Sequence, residues 1–344
     1  MIIRKKTKQI KVGGVKIGSG APVSIQSMTK VETANVRAVV SQIKSLDGAG
    51  CDIVRVAVKT IKDAEAIIDI KRRIKIPIVC DIHFDYRLAL ECINSGADKI
   101  RLNPGNIGKR EDIERIVKAA KKRGIPIRIG VNSGSTSIDF VKSALNYIKL
   151  FEELDFRDII ISLKASDVVK TVEAYRRMAA LSDYPLHLGV TASGPYDSGI
   201  VKSSIGIGAL LLDGIGDTIR VSLTADPVEE VAAAKRILSS LNLRKFGPEI
   251  ISCPTCGRCQ VDLISIVNKV DNAVRCTQYA VRKKPLTIAI MGCEVNGPGE
   301  AREADIGIAF GKSIGMLFKK GKIVKKVSSK NAVKELLSVI QAVS

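Results

Sequence analysis

The sequence predicts an α/β protein: a TIM (β/α)8 barrel followed by a smaller α+β domain. Three observations predict it. Eight short β-branched runs alternate with helical segments, polar residues recur at every second position inside those runs, and the rhythm stops near Leu243. Strand alternating with helix calls for a parallel sheet, and eight such units call for closure into a barrel.

The elements follow in order. Ile10 to Lys16 reads as a β-hairpin, because Gly13-Gly14 can take the positive φ angles of a tight turn. The barrel runs are Val23–Met28, Asp52–Val58, Ile76–His83, Lys99–Asn103, Ile125–Asn132, Asp158–Ser166, Leu186–Thr191 and Thr218–Leu223. Between them apolar residues fall at three-and-four spacing, as in Asp112–Lys122 and Val168–Leu181, which marks amphipathic helices. The last barrel helix has a defined start: Asp226 caps, Pro227 takes the first helical position and Glu229 the capping-box position. Beyond it come strands at Leu286–Met291 and Asp305–Phe310, a hairpin of Met316–Lys320 and Lys322–Val327 about Gly321, and a terminal helix Asn331–Val343. This division puts 1–243 in the barrel and 244–344 in the second domain.

The chain has 344 residues, 46% hydrophobic and 26% charged, which suits a globular protein of two domains. Met1 to Lys16 mixes basic and apolar residues without a signal-peptide core, and no apolar run approaches about eighteen residues. The expectation is a cytoplasmic protein without a membrane span. Lys+Arg outnumber Asp+Glu by 55 to 35, leaving a formal charge of +20. Such an excess suits nucleic acid, an acidic partner or an anionic substrate. An aromatic content of 4% and the absence of Trp weaken a base-stacking single-strand binder. Lys319-Lys320 and Lys325-Lys326 read as solvated surface.

The polar residues within the strands carry more. Every second position gives Arg55 and Ala57; Asp81 and His83; Arg101 and Asn103; Arg128, Gly130 and Asn132; Ser162, Lys164 and Ser166; His187, Gly189 and Thr191; Thr218, Arg220 and Ser222. Period two places each set on one face, here the lumen, which opens at the C-terminal mouth where such barrels work. Five strands thus supply a cation: Arg55, Arg101, Arg128, Lys164 and Arg220. Asp81 is the one obvious in-strand anion. Buried charges need partners, so the lumen is either a set of internal salt bridges with loop carboxylates or a pocket for a multiply charged anion such as a diphosphate. Asn103-Pro104-Gly105-Asn106-Ile107-Gly108 and Asn132-Ser133-Gly134-Ser135 are loops suited to phosphate oxygens. Ser203-Ser204-Ile205-Gly206-Ile207-Gly208, after strand seven, is expected to be another.

Eight cysteines in such a chain argue against a disulfide framework. Cys51, Cys80 and Cys92 lie in apolar or helical contexts and read as inert buried thiols. The other five crowd into 253–293. Cys253-x2-Cys256 is shared by zinc ribbons, thioredoxin-like sites and iron–sulfur proteins. A zinc ribbon wants a second close pair, yet both histidines, His83 and His187, sit in the barrel. Cys253, Cys256 and either Cys259 or Cys293 give three soft ligands for a 4Fe–4S cluster, and spacing leaves the choice between the last two open.

Ser252-Cys-Pro-Thr-Cys-Gly-Arg258 together with Met291-Gly-Cys-Glu-Val-Asn-Gly-Pro-Gly-Glu300 resembles the 4-hydroxy-3-methylbut-2-enyl diphosphate synthases of the non-mevalonate isoprenoid pathway. Asp81-Ile-His-Phe-Asp-Tyr-Arg87, Arg101-Leu-Asn-Pro-Gly-Asn106, Gly130-Val-Asn-Ser-Gly-Ser135 and Gly214-Ile-Gly-Asp-Thr-Ile-Arg-Val-Ser222 match the same pattern. The resemblance implies a 4Fe–4S cluster held by Cys253, Cys256, Cys293 and the Glu300 carboxylate, with Cys259 a non-ligand. It implies reductive ring opening and dehydration of 2-C-methyl-D-erythritol 2,4-cyclodiphosphate by two electrons, and a homodimer in which one subunit's cluster domain caps the other's barrel. Carboxylate binds iron less tightly than thiolate, so Glu300 is expected to yield its place to a substrate oxygen. Arg55, Arg101, Arg128, Lys164 and Arg220 are then expected to hold the diphosphate, helped by Asn103, Asn132, Ser133 and Ser135. Asp81 and His83 are expected to orient hydroxyls or move a proton. One departure stands out: the family reads Thr-Glu-Ala-Gly where this chain has Thr191-Ala192-Ser193-Gly194, so a carboxylate is missing at 192. No flavin or nicotinamide site is readable, and the expected donor is an acidic flavodoxin or ferredoxin steered by the basic surface. A zinc-ribbon nucleic-acid binder lacks its second Cys pair, and a radical enzyme using S-adenosylmethionine lacks its Cys-x3-Cys-x2-Cys. Neither nucleic acid nor membrane is expected as a partner.

Overall fold

A computed structural model describes every residue except 1, 104–105, 108, 133–138, 276–285, 296, 301 and 343–344. The chain divides into two compact units, Met1–Arg244 and Lys245–Ser344.

In the first unit a hairpin, β1 (Ile10–Val12) and β2 (Val15–Ile17), turns at Gly13 with φ +54°. Eight strands follow: β3 (Ser24–Met28), β4 (Ile53–Val58), β5 (Ile78–Ile82), β6 (Lys99–Leu102), β7 (Ile127–Asn132), β8 (Ile159–Lys164), β9 (His187–Leu188) and β10 (Thr218–Ile219). They alternate with α1 (Val36–Gly48), α2 (Ile61–Lys71), α3 (Tyr86–Asn94), α4 (Arg110–Arg123), α5 (Phe140–Glu153), α6 (Val168–Leu181), α7 (Tyr196–Leu212) and α8 (Pro227–Ser240). All pairings in the sheet are parallel, in the order β8-β7-β6-β5-β4-β3-β10-β9. A single bridge, Ile161 to Leu186, joins β8 to the segment entering β9 and closes the barrel. The expected TIM barrel is therefore present.

The hairpin seals the N-terminal end. Ile10, Val12 and Ile17 pack on Ile53, Val79 and Ile160, which come from the first turns of their strands and share the inward parity of Arg55, Asp81 and Ser162. The N-terminal end of the lumen is thus floored with aliphatic side chains.

Three expectations need correction. Ser203 to Gly208 is no loop: it lies inside α7, where Ser203 is buried and a Cβ on Gly206 would stand 2.8 Å from Val190 Cγ2. Those small residues let α7 pack close to the sheet, so the phosphate role assigned to them fails. Asp226 does cap α8, but its side chain accepts from Val228 N–H, and Glu229 makes no reciprocal box. Strands seven and eight are ladders of only two residues rather than six. Beyond them the backbone keeps single bonds, Thr191 N–H to Ala165 O and Arg220 N–H to Leu188 O, and Leu223 N–H donates to a side chain, Glu230 Oε1, at 3.0 Å.

The second unit builds one sheet from β11 (Glu249–Ser252), β12 (Thr287–Met291), β13 (Ile306–Phe310), β14 (Ile314–Lys319) and β15 (Lys322–Ser328), in that order. β11, β12 and β13 are parallel, and β14 and β15 are antiparallel. Helices α9 (Leu263–Arg275) and α11 (Ala332–Ala342) supply Leu263, Val270, Val274, Leu336 and Ile340 to its core, and a short α10 (Gly297–Glu300) follows β12. The hairpin turns at Lys320-Gly321, with φ +48° and +74° as a two-residue hairpin turn requires. Neither β11 nor α9 is anticipated by the sequence reading. β11 is a short, largely exposed edge strand and carries little pattern.

The β8–β9 seam has one bridge, so it leans on a side chain. Buried Tyr175, on α6, accepts from Leu163 N–H at 3.0 Å through its hydroxyl and donates to the His187 carbonyl. Tyr175→Phe leaves both backbone groups without that partner and is expected to lower unfolding stability by about 1–3 kcal/mol. Urea denaturation followed by circular dichroism measures it; an unchanged midpoint would show that the seam closes without the hydroxyl.

Candidate functional site

Six cations converge on the barrel interior. Arg55 comes from β4, Lys99 and Arg101 from β6, Arg128 from β7, Lys164 from β8, and Arg220 from the residue after β10. Lys99, Arg101, Arg128 and Lys164 are all buried. Period two accounts for the placement: Lys99 shares the inward parity of Arg101. Five of these cations are among those expected from the sequence; Lys99 is not, although it obeys the same alternation.

Two carboxylates face them. Asp81 on β5 pairs with Arg101 (Nη1 to Oδ1, 3.0 Å) and stands 3.8 Å from Arg55 Nε. Glu230 on α8 stands 3.9 Å from Arg220 Nε and 3.2 Å from Lys30 Nζ. Internal pairing thus exists, but with a helix carboxylate rather than loop ones, and cations remain in excess among the described residues. Glu230 gave no signal in the sequence because a single inward carboxylate on a helix resembles any first-turn acid. Gln26 on β3 was missed too; its Oε1 accepts from Arg128 Nη1 at 3.0 Å.

Other contacts set the cations in place. Arg101 Nη2 donates to Gly130 O at 3.0 Å, and a Cβ on Gly130 would lie 2.5 Å from Arg101 Nε. Gly189 does the same for Lys164, whose Nζ would be 2.7 Å from an added Cβ. Arg55 turns Nε and Nη2 onto Met28 Sδ at 3.1 and 2.9 Å. Burial pushes Arg55, Lys99 and Lys164 well below their ordinary values, with repulsion from neighbouring cations added. Arg128 is pushed down to about 9 by the same causes. A multiply charged anion would relieve all of them at once. Burial also works against the Asp81 charge, but Arg55, the His83 hydrogen bond and Arg101 outweigh it and hold the carboxyl well below the usual carboxylate range.

His83 follows β5, half-exposed. Its Nε2 lies 3.4 Å from Asp81 Oδ2 and 3.1 Å from Arg101 Nη1, and its Nδ1 is 3.3 Å from Asn106 Nδ2. His187, by contrast, is fully buried against Thr218 Oγ1 at 3.3 Å, and burial drives it well below its ordinary value. Asn103 is buried just past β6 and Asn132 ends β7 beside Lys164 in register. Ser133 and Ser135 lie outside the described residues. Ala192 stands in the loop after β9 with φ +50°, a left-handed backbone bearing a methyl where the resemblance expects a carboxylate.

The thiols form a separate site in the second unit. β11 and β12 run parallel with Ser252 opposite Ile290, so both strands end at the same edge of the sheet. Cys253 emerges directly from one, and Gly292-Cys293 directly from the other. A cavity of about 180 Å³ is lined there by Cys253, Cys256, Cys293, Arg258, Met291 and Gly297, among others. Thr255, with φ +59°, turns the chain so that Cys256 comes back to it. Gly292 N–H donates to Cys253 Sγ at 3.3 Å. Arg258, through its backbone N–H and its guanidinium, draws the exposed Cys256 thiol below its ordinary value. Cys259 is placed otherwise: its Sγ bonds Val261 O at 3.3 Å and packs where a Cβ on Gly292 would be, 2.5 Å away. Among the described residues no three His, Cys, Asp or Glu side chains converge to hold one ion. Three thiols spread around one cavity fit a body several ångströms across, as an iron–sulfur cluster is. Gly297 opens α10 at that cavity and Glu300 closes the same helix; the Glu300 side chain lies outside the described residues.

Cys51, Cys80 and Cys92 are buried, as expected. Burial pushes the Cys51 thiol up to about 12.

The model of the GcpE TIM-barrel domain matches residues 7–235, and that of the GcpE protein C-terminal domain matches 249–342. A protein of Thermodesulfovibrio yellowstonii, named 4-hydroxy-3-methylbut-2-en-1-yl diphosphate synthase (flavodoxin), is 55% identical over 353 residues, covering 99% of this chain and all of its own. One of the same name from Anoxybacillus flavithermus is 54% identical over 348 residues, covering 98% of this chain and 94% of its own. Among solved structures, a dihydropteroate synthase from Stenotrophomonas maltophilia aligns with a TM-score of 0.52 at 15% identity, over 69% of this chain and 98% of its own. That last likeness shows the barrel fold alone.

Asp81→Asn leaves Arg101 and Arg55 without their carboxylate and is expected to destabilise the barrel by about 3–5 kcal/mol at neutral pH. The folded value is depressed, so this contribution is complete above the unfolded value of about 3.9 and is lost as pH falls below it. Denaturant titrations of both proteins should converge in acid; a gap that persists at low pH would contradict the ion-pair assignment.

Proposed function

The chain belongs to the GcpE family, and from that premise we propose that it opens the ring of 2-C-methyl-D-erythritol 2,4-cyclodiphosphate. Two-electron reduction and dehydration then give 4-hydroxy-3-methylbut-2-enyl diphosphate. The product and flavodoxin both stand in the names of the relatives described above. One observation carries the reading: among the described residues the lumen holds six cations against two carboxylates, an excess of positive charge that the dianion of a cyclic diphosphate would reduce.

Arg55, Arg101, Arg128, Lys164 and Arg220 bind the diphosphate and stabilise the charge that grows as a phosphate oxygen leaves its ring carbon. Asn103, Asn132, Ser133 and Ser135 complete its hydrogen bonds. Asp81 stays ionised at working pH, so it orients Arg101 and His83 rather than delivering a proton. His83, half-exposed and held from both ring nitrogens, is the group suited to exchange a proton with a substrate hydroxyl. With Ala192 in the place of a carboxylate, any proton expected from that position falls to His83 or water. Cys253, Cys256, Cys293 and Glu300 would hold a 4Fe–4S cluster, which when bound would supply electron transfer and Lewis acidity. Cys259, packed behind Gly292, supports the framework of that site instead of its ligand set.

The electrons come from an acidic flavodoxin or ferredoxin, drawn by the formal charge of +20. A homodimer and a cytoplasmic setting complete the reading; among the described residues no helix is long and apolar enough to cross a membrane.

Anaerobically purified protein is expected to hold about four irons and four sulfides per chain and to turn over the cyclodiphosphate with reduced flavodoxin. Cys253→Ala, Cys256→Ala and Cys293→Ala should each lose the iron, whereas Cys259→Ala should keep it. One zinc and no iron would remove the redox mechanism, and loss of iron in Cys259→Ala alone would reassign the ligands.

A further inference from the structure

The barrel seam between β3 and β10 is held by two ladder positions, Thr218 with Ser24 and Ile219 with Ile25. Arg220 comes immediately after the last of them. Its own N–H is fixed on the other side, to Leu188 O at 3.0 Å, so nothing in the ladder to β3 fixes the direction of its long side chain. Glu230 stands at that point. The carboxylate is 2% exposed and reaches in from the first turn of α8.

Each of its oxygens has a separate set of partners. Oε1 accepts from Leu223 N–H at 3.0 Å and pairs with Lys30 Nζ at 3.2 Å. Oε2 accepts from Ser27 Oγ at 3.1 Å and faces Arg220 Nε at 3.9 Å. Lys30 in turn donates to the carbonyls of Leu223, at 2.9 Å, and Ala225. One buried carboxylate therefore ties the end of β3, the segment after β10 and the start of α8 into a clasp. A helix carboxylate that merely capped its own helix would have no reason to be buried among these groups. The capping is done by Asp226.

We propose that Glu230 is a positioning residue for diphosphate binding. Its charge draws the Nε edge of Arg220, 3.9 Å away and without a hydrogen bond of its own, and leaves the rest of the guanidinium to the anion. The proposal rests on the reading of the lumen as a diphosphate site.

The test is a double-mutant cycle read by calorimetry of inorganic pyrophosphate binding to the full chain. Glu230→Gln preserves volume and removes the charge. Simple electrostatics predicts that losing a carboxylate from a cationic lumen tightens anion binding; loss of a positioned guanidinium predicts the reverse. Glu230→Gln is expected to weaken pyrophosphate binding about tenfold, and by less than about twofold when Arg220→Met is already present. Ser27→Ala, a milder change at the same carboxylate oxygen, is expected to weaken it about threefold with the same dependence on Arg220. Thermal melts of each variant establish that it folds. Tighter or unchanged binding in Glu230→Gln overturns the proposal. So does equal weakening in both backgrounds, which is the mark of a purely structural role. Unsubstituted protein with no affinity for pyrophosphate overturns the diphosphate reading, and the positioning role with it.

Discussion

Packing six cations around one closed lumen is the constraint on which the first unit depends. Each guanidinium or ammonium taken from water costs several kcal/mol unless a partner replaces the lost solvation. Among the described residues the chain supplies two carboxylates, Asp81 and Glu230, and adds lone pairs from the Gly130 carbonyl on Arg101, the Gln26 amide on Arg128 and the Met28 sulfur on Arg55, but it leaves the buried Lys99 Nζ without a hydrogen-bond partner. Gly130 and Gly189 follow from the same constraint, since a Cβ at either place would occupy the position of a buried cation. The aliphatic floor made by Ile10, Val12, Ile17, Ile53, Val79 and Ile160 closes the end away from the mouth. What results is an interior with like charges packed together, which on the proposed reading an anionic substrate would relax.

In the second unit the organising feature is strand direction. Because β11 and β12 are parallel neighbours in register, their C-terminal ends lie side by side, and two segments forty residues apart present their thiols to one cavity. An antiparallel pairing would have sent Cys253 and Cys293 to opposite edges. The same geometry separates roles among like residues. Cys253, Cys256 and Cys293 line the cavity, while Cys259 turns back to Val261 and fills the space that Gly292 leaves.

The chemistry divides along these lines. On the proposed reading, charge in the barrel holds an anion, and the thiols of the second unit suit a cofactor that carries electrons. Asp81 illustrates how environment sets a role: in water a carboxyl could donate a proton in weak acid, but between two guanidiniums it remains an anchor.

The sequence by itself determined the barrel, the hairpin, most of the lumen and the cysteine motifs. Those features are periodic or local: Arg101, Arg128 and Lys164 face inward because strand side chains alternate, and Cys253-x2-Cys256 is a spacing along one loop. It could not determine what depends on residues remote in the chain. Glu230 enters the lumen only because α8 packs over the β3–β10 seam. Ser203 to Gly208 lies inside α7, and Gly206 is small where that helix packs against Val190. Cys259 and Cys293 are equivalent by spacing and are distinguished by the pairing of β11 with β12. Alternation and capping are written in neighbouring residues, whereas which of two identical side chains meets a cavity is decided by contacts between strands, and those form only when the chain has closed upon itself.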